Sequence, residues 1–377
     1  MTRPPIGKSL VTIFEELPDP RKLRNQRHKL IDIATVAICA ILCGSNNWEQ
    51  VAQFGRDKIE WFSNFLELPN GIPSHDAFNE FFRFLDPEAF QKKFIEWTTA
   101  IADLFPGEVI AIDGKTARCS HDNTTEKKAI HCVNAYASSN RITLGHVKTE
   151  EKSNEITAIP KLLDMLAVKG CIVTIDAMGC QRDIAEKIID KGADYILAVK
   201  GNHTKLHDEV KNYFEQAQAV NFEEVPGVGD IVEENNRDRI EKRSIWITED
   251  VDWLPQKNDW EGLKSLIMIK SERCTKGIVQ SEIRYFITSL SVTTPKILEK
   301  IRAHWMVENG LHWVLDVVYD EDRSRLRKDF GAENFSLLRK LTLNVLKQDT
   351  SKKGGIETKR LSAGWDDKYR ERLLKGK

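Results

Sequence analysis

The chain has 377 residues, enough for a sizeable buried core and about two or three domains. Its 41% hydrophobic and 30% charged residues are those of a globular protein, and a net charge of −1 does not by itself announce a nucleic-acid binder. The longest apolar stretch, Ile33 to Cys43, is well short of the roughly 20 residues that span a bilayer, no apolar centre follows the start, and seven scattered cysteines make no even disulfide framework. These features predict a protein of the reducing cytoplasm, with no membrane partner.

Residues 1–105 are expected to form an all-helical domain. Ile31 to Cys43 reads as an apolar helix closed by Gly44, with Cys39 and Cys43 as core residues, since no further Cys or His pair follows at zinc-site spacing. Trp48 to about Leu66 gives a second helix, ending near Pro69-Asn70-Gly71. Ser74 reads as the N-cap of a helix bearing Phe78, Phe81 and Phe82, and Asp86-Pro87-Glu88 as the start of the next, which stops at Pro106-Gly107. Short helices joined by tight turns suit a helix-turn-helix DNA-binding module, and equally a small bundle. Local charge adds Arg21, Lys22, Arg24, Arg27 and Lys29 near the start, and Arg323, Arg325, Arg327, Lys328, Lys352, Lys353, Lys359 and Arg360 towards the end, the last four of them in what reads from residue 346 as a basic tail. Such clusters either track phosphates or are solvated surface.

After Gly107 the pattern changes. Glu108 to Asp113 is an apolar run ending in a carboxylate, and His131–Ser138 and Ile142–Thr149 read as a hairpin. A helix from Glu155 to about Val168, a strand Cys171–Asp176, a helix from about Gln181 to Lys191 and a strand Tyr195–Val199 follow. Tandem strands, then strand–helix–strand alternation, predict an α/β fold: a mixed sheet flanked by helices over 106–345. Candidate strands Ile240–Thr248, Leu263–Lys270 and Ile283–Ser289 predict a β-rich insertion at about 225–290, before a long closing helix from near Pro295 to about Val318.

Asp113 and Asp176 each come first among charged residues after a strand-like run, and each is followed by a small residue and a turn. Ligands gather outside the carboxyl ends of strands in sheets with parallel pairing, so two such carboxylates can share a divalent cation; capping of the strand end is the competing role. On a helical wheel of the closing segment, Ile301, Trp305, Leu311 and Leu315 form an apolar stripe with Glu308 in its middle. An inward carboxylate requires a metal or a buried ion pair. Three carboxylates at one sheet edge are what two-metal phosphoryl transfer needs. Rival readings are weaker. Ala111 removes the nucleophile of an Asp-x-Asp phosphatase, Gly227-Val-Gly229 lacks a dinucleotide fingerprint, and His304, Glu308 and His312, at i, i+4 and i+8, offer a zinc hydrolase site.

Five segments occur in order: Ile112-Asp-Gly-Lys-Thr116, Thr149-x-x-Lys152-Ser-Asn-Glu-Ile-Thr157, Asp176-Ala-Met-Gly-Cys-Gln181, Ala198-Val-Lys-Gly-Asn202 and His304-Trp-x-Val-Glu308-x-x-Leu-His312-Trp313. Together they resemble the H-repeat-associated, Rhs-linked transposases of bacterial insertion sequences, from about Asp19 to residue 345. The resemblance implies an RNase H-like catalytic fold with Asp113, Asp176 and Glu308 as the acidic triad, a preceding helical segment that binds terminal inverted repeats, and a β-rich insertion before the Glu. The wider group's Tyr, Arg and Lys around that Glu are absent, because Ile301, His304 and Leu315 stand there.

The expected activity is cleavage and strand transfer of double-stranded DNA, both terminal repeats and target. The expected cofactor is Mg²⁺, with Mn²⁺ as a substitute, and the protein is expected to act as a homodimer or higher oligomer on DNA. Lys115, Lys200 and Asn202 follow strand ends and are candidates for holding the DNA backbone, as are His304 and His312, which alternatively orient Glu308. A domesticated, catalytically silent DNA-binding protein is the alternative function.

Overall fold

The computed structural model describes residues 14–22, 26–121, 128–150, 154–223, 225–236, 239–275 and 277–375. In chain order the helices α1 (Leu30–Leu42), α2 (Trp48–Asp57), α3 (Ile59–Phe62), α4 (His75–Phe84) and α5 (Pro87–Ile101) precede strands β1 (Val109–Thr116), β2 (His131–Ala137) and β3 (Ile142–Lys148). Then come α6 (Glu155–Met165), β4 (Ile172–Ile175), α7 (Arg182–Asp190), β5 (Asp194–Val199) and α8 (Thr204–Ala219). Strands β6 (Val228–Asn236), β7 (Arg239–Thr248), β8 (Ser265–Thr275) and β9 (Ile278–Thr288) follow. The chain closes with α9 (Ile297–Ala303), a π-helical turn Glu308–His312, α10 (Trp313–Val317), α11 (Gly331–Gln348), α12 (Ile356–Trp365) and α13 (Asp367–Lys375). It divides into two compact units: Met1–Asp103 with Gly114–Lys152 and Met306–Lys377, and Leu104–Asp113 with Ser153–Trp305.

The first unit is built around two helices with almost no solvent-facing side. Helix α1 buries every residue from Asp32 to Leu42, and α11 buries nearly all of Gly331 to Leu346, as expected of helices running through a core rather than over it. Side-chain caps set the helix starts: Ser74 Oγ accepts from Ala77 N at 3.2 Å, and Asp86 accepts from Glu88 N at 3.0 Å with Pro87 in the first turn. Each such cap contributes about 1 kcal/mol. Trp48 stacks on Phe82 at 4.9 Å and meets Phe335 of α11 edge-on at 4.7 Å. Strands β2 and β3 pair antiparallel, with a register shift between Ala135 and Tyr136. Buried Asn344 of α11 pairs with the backbone of Thr143 in β3, accepting from its N–H at 2.9 Å and donating to its carbonyl at 2.8 Å.

The second unit holds the mixed sheet. Strands β1, β4 and β5 run parallel in that order, β9 adds antiparallel to β5, and β8, β7 and β6 continue as an antiparallel ribbon. All four residues of β4 are buried, as in a strand covered on both faces. An isoleucine-rich core joins Ile172, Ile196, Ile245, Ile267 and Phe286 to Ile297 and Ile301 of α9. The α/β class, the helical N-terminal region and the β-rich insertion are thus those expected.

Several elements differ from expectation. The basic tail is helical and partly internal: Lys359 donates to the Leu346 carbonyl, and Arg360 to the carbonyls of Ile41 and Ser45. These two cations cap helix ends and are not available to track phosphates. The long closing helix is broken by a turn at His304–Trp305 and widened at Glu308–His312, where Trp313 N–H bonds the Glu308 carbonyl in an i to i+5 step.

Candidate active site

The register of the parallel pair β1–β4 positions the first two carboxylates. Ile112 lies opposite Ile175, so Asp113 and Asp176 each stand one residue beyond the last matched pair of adjacent strands. Side chains alternate along a strand, which puts both aspartates on the face that carries Ala111 and Thr174. Adjacent strands run about 4.8 Å apart, close enough for two carboxylates to share one cation. Both residues are half-buried.

The loop after β4 is held tightly. Asp176 Oδ1 accepts from Met178 N at 3.0 Å, folding the chain back on itself. Gly179 is required there, since a Cβ would lie 2.3 Å from Ile175 Cγ2 and 2.9 Å from Ile159 Cδ1. The next loop is tied to it: Asn202 Nδ2 donates to the Ala177 carbonyl at 2.6 Å, and His203 Nε2 meets the Cys180 carbonyl at 2.5 Å.

His304 belongs to this same unit. Its Nδ1 lies 3.1 Å from Thr174 Oγ1, two residues before Asp176 on the same strand face. Burial lowers its pKa below the ordinary 6.5, against the opposing pull of Asp176 and the Thr174 hydrogen bond, so the ring is neutral at neutral pH. The ring is thus fastened to β4 through Thr174, two residues before Asp176. Thr174 was not singled out in the sequence, although a hydroxyl inside the run Ile-Val-Thr-Ile, two residues before a carboxylate, is a readable signal.

Glu308 lies in the other unit. It opens the π-helical turn and is exposed, which corrects the expectation of an inward carboxylate. The wheel assumed an unbroken 3.6-residue period; the turn at His304–Trp305 and the i to i+5 step shift the phase, leaving Trp305 42% exposed while Ile301, Leu311 and Leu315 stay buried. His312, the last residue of the turn, is half-buried. Among the described residues, no group of three or more His, Cys, Asp or Glu could hold a metal ion. No helix among them is long and apolar enough to cross a membrane.

Residues 104–345 match the family model described as "Transposase DDE domain", and residues 11–98 match one described as "DDE_Tnp_1-associated". The chain belongs to the DDE transposases of the H repeat-associated group. It is 42% identical to "Putative transposase YncI" of Escherichia coli O157:H7, over 97% of this chain and 94% of that one. It is 38% identical to "H repeat-associated putative transposase YhhI" of Escherichia coli strain K12, over 98% of each. A solved piggyBac transposase synaptic complex with hairpin DNA superposes with a TM-score of 0.43 at 11% identity, over 98% of this chain and 78% of that chain.

For this transposase the expected DNA contacts divide by burial. Lys115 is 8% exposed and ion-paired to Asp316 at 2.6 Å, with Glu321 and Asp322 each at 3.6 Å, so it is an internal cation rather than a phosphate contact. Arg21 is also turned inward, pairing with Asp19 at 2.7 Å and donating to the His28 carbonyl at 2.9 Å. Lys22, Arg27, Lys29 and Lys200 are exposed, and Lys29 also pairs with exposed Glu67, an interaction of little weight in water. Arg24 lies outside the described residues. Asn202 is exposed but spends its amide on the loop contact to Ala177.

Proposed function

We propose that this protein is an insertion-sequence transposase that binds terminal inverted repeats, cleaves DNA strands and joins the freed ends to target DNA. The observation that supports this most is the matched position of Asp113 and Asp176, each one residue past the paired stretch of adjacent parallel strands, in a chain of the DDE transposase family. Glu308 is the third carboxylate of the proposed set.

The donor set fits a hard divalent cation. Carboxylate oxygens suit Mg²⁺ or Mn²⁺, and Mg²⁺ is usually held by one or two carboxylates with water and substrate phosphate, not by an all-protein cage. When bound, such ions supply Lewis acidity that eases ionisation of the attacking hydroxyl and stabilises the departing 3′ oxygen. Asp113 and Asp176 would hold them, with Glu308 completing one shell. In the first step a water oxygen bonds to phosphorus and the bond to the 3′ oxygen breaks, leaving a 3′-hydroxyl and a 5′-phosphate. In the second, that 3′-hydroxyl attacks a target phosphate and displaces the target's own 3′ oxygen, conserving the number of phosphodiester bonds. Neutral His304, anchored on Thr174, keeps Asp176 in place without competing as a cation. Exposed Lys22, Arg27, Lys29 and Lys200 neutralise backbone phosphates. The partners are double-stranded terminal-repeat and target DNA and, for joining two ends, further copies of this chain in the bacterial cytoplasm.

The test is a nicking assay on duplexes carrying the inverted repeats that flank the gene, with Mg²⁺, Mn²⁺ or EDTA. Strand-specific cleavage that needs the metal and vanishes in Asp176→Asn supports the reading. Tight, specific binding without cleavage by the wild-type protein would instead identify a silent DNA-binding protein.

A further inference from the structure

Lys347 is a lysine in the wrong place for a surface cation. It sits near the end of the buried helix α11, and no carboxylate pairs with it among the described residues. Its Nζ donates to Tyr136 Oη at 2.7 Å, to the Gly310 carbonyl, and lies 4.6 Å over the Tyr136 ring. Tyr136 reaches this point from β2, immediately after the register shift that re-aims its side chain. Gly310 is the middle residue of the π-helical turn that begins with Glu308. A Cβ at that position would lie 2.7 Å from Tyr136 Oη, so only glycine lets the tyrosine close on the turn.

A wide i to i+5 turn is an uncommon backbone state that needs support from outside the helix. Here an ammonium grips a carbonyl within the turn, and a phenol packs on the one residue that lacks a side chain. Burial pushes the Lys347 amine down to about 7, with Arg141 adding to the effect, which shows what the fold gives up to keep it there.

We infer that Lys347 and Tyr136 form a clamp that positions the Glu308–His312 turn, and that they serve the reaction as positioning residues without touching substrate. This rests on the reading of Glu308 as a functional carboxylate.

The test uses the full chain in Lys347→Met, Tyr136→Phe and Glu308→Gln forms. Hydrogen exchange of the metal-free proteins in EDTA should show peptides across Glu308–Trp313 exchanging at least tenfold faster in Lys347→Met, and several-fold faster in the milder Tyr136→Phe. Nicking of terminal-repeat duplex at saturating DNA should fall at least tenfold in Lys347→Met, with the Kd for the DNA ends within twofold of wild type, a split that general loss of structure would not give. Unchanged exchange in both clamp variants overturns the clamp. Faster exchange with wild-type nicking overturns its role in the reaction. Wild-type nicking by Glu308→Gln overturns the assignment of Glu308, on which the inference rests, and separates that failure from the other two.

Discussion

Lys115 Nζ lies 2.6 Å from Asp316 Oδ1, which ties the end of β1, two residues beyond Asp113, to α10, four residues beyond His312. Glu321 stands 3.6 Å from the same ammonium and is itself 2% exposed, held as well by Arg339 at 3.7 Å and by Ser336 Oγ at 2.8 Å. Burial would lower the Lys115 pKa, but Glu321, Asp316 and Asp322 outweigh it and raise it, so the cation is permanent. Lys115→Met should therefore destabilise the fold by about 2–3 kcal/mol, because it leaves a buried carboxylate short of its partner. The salt dependence of DNA binding should stay as in wild type. A phosphate contact would instead lower the slope of log K against log salt by about 1. Urea melts and salt titrations of the one variant measure both.

Asp113→Asn, Asp176→Asn and Glu308→Gln should share one phenotype: cleavage down by roughly 10²–10³-fold or more, with end binding retained. Their stabilities should separate. Glu308 is exposed, so its neutralisation should change metal-free stability by no more than about 0.5 kcal/mol. The two aspartates stand side by side just past the paired stretch of β1 and β4, so removing either charge relieves repulsion and should raise the metal-free melting temperature. Melts in EDTA beside Mg²⁺-dependent nicking give the comparison; a fall in stability of all three variants would contradict it.

His304→Ala should slow cleavage by about 10–100-fold, the usual cost of removing a group that orients a metal ligand, and should leave the salt dependence of binding unchanged. Thr174→Val should reproduce a smaller part of the same defect, since the hydroxyl fixes the imidazole and not the carboxylate. Stoichiometric zinc in the wild-type protein that is lost in His304→Ala would count against this account.

Lys347 gives the fold a pH signature. The ordinary lysine pKa is 10.5 and the buried amine is held near 7, facing Tyr136, the Gly310 carbonyl and the nearby charge of Arg141. Between these values the unfolded chain binds more protons than the folded one, so stability rises as pH climbs from about 7 towards 10, and the penalty is complete below 7. Lys347→Met should lose this rise and be relatively more stable at pH 6 than at pH 9 when each is compared with wild type. Denaturant midpoints measured across that range, with slopes checked for constancy, provide the test.

Much of the scaffold was legible because local chemistry and fold agreed. Ser74 and Asp86 cap the helices that their positions predict, and the apolar runs ending at Asp113 and Asp176 became neighbouring strands. Helix α8 was readable but unread: Leu206, Val210, Phe214 and Ala217 mark its buried face. The errors have a common cause. Lys115, Lys359 and Arg360 are cations enclosed by protein, and a sequence reports charge without reporting the carbonyls and carboxylates that make burial tolerable. Glu308 was misplaced for another reason, since a helical wheel carries phase across a break that no proline or glycine announces at His304–Trp305.

The pairing of Asn344 with Thr143 also bears on how copies of this chain can associate. Of the hairpin strands, β3 has one side paired to β2, and its other side would be an open row of donors and acceptors ready to recruit a foreign strand. At Thr143 a side-chain amide from a helix fills both valences, imitating the neighbour that is not there. The hairpin is thereby closed to edge-to-edge growth at its centre. This route to uncontrolled stacking is blocked at Thr143 by one asparagine, and Asn344→Leu should form aggregates at concentrations where the wild-type chain stays dispersed.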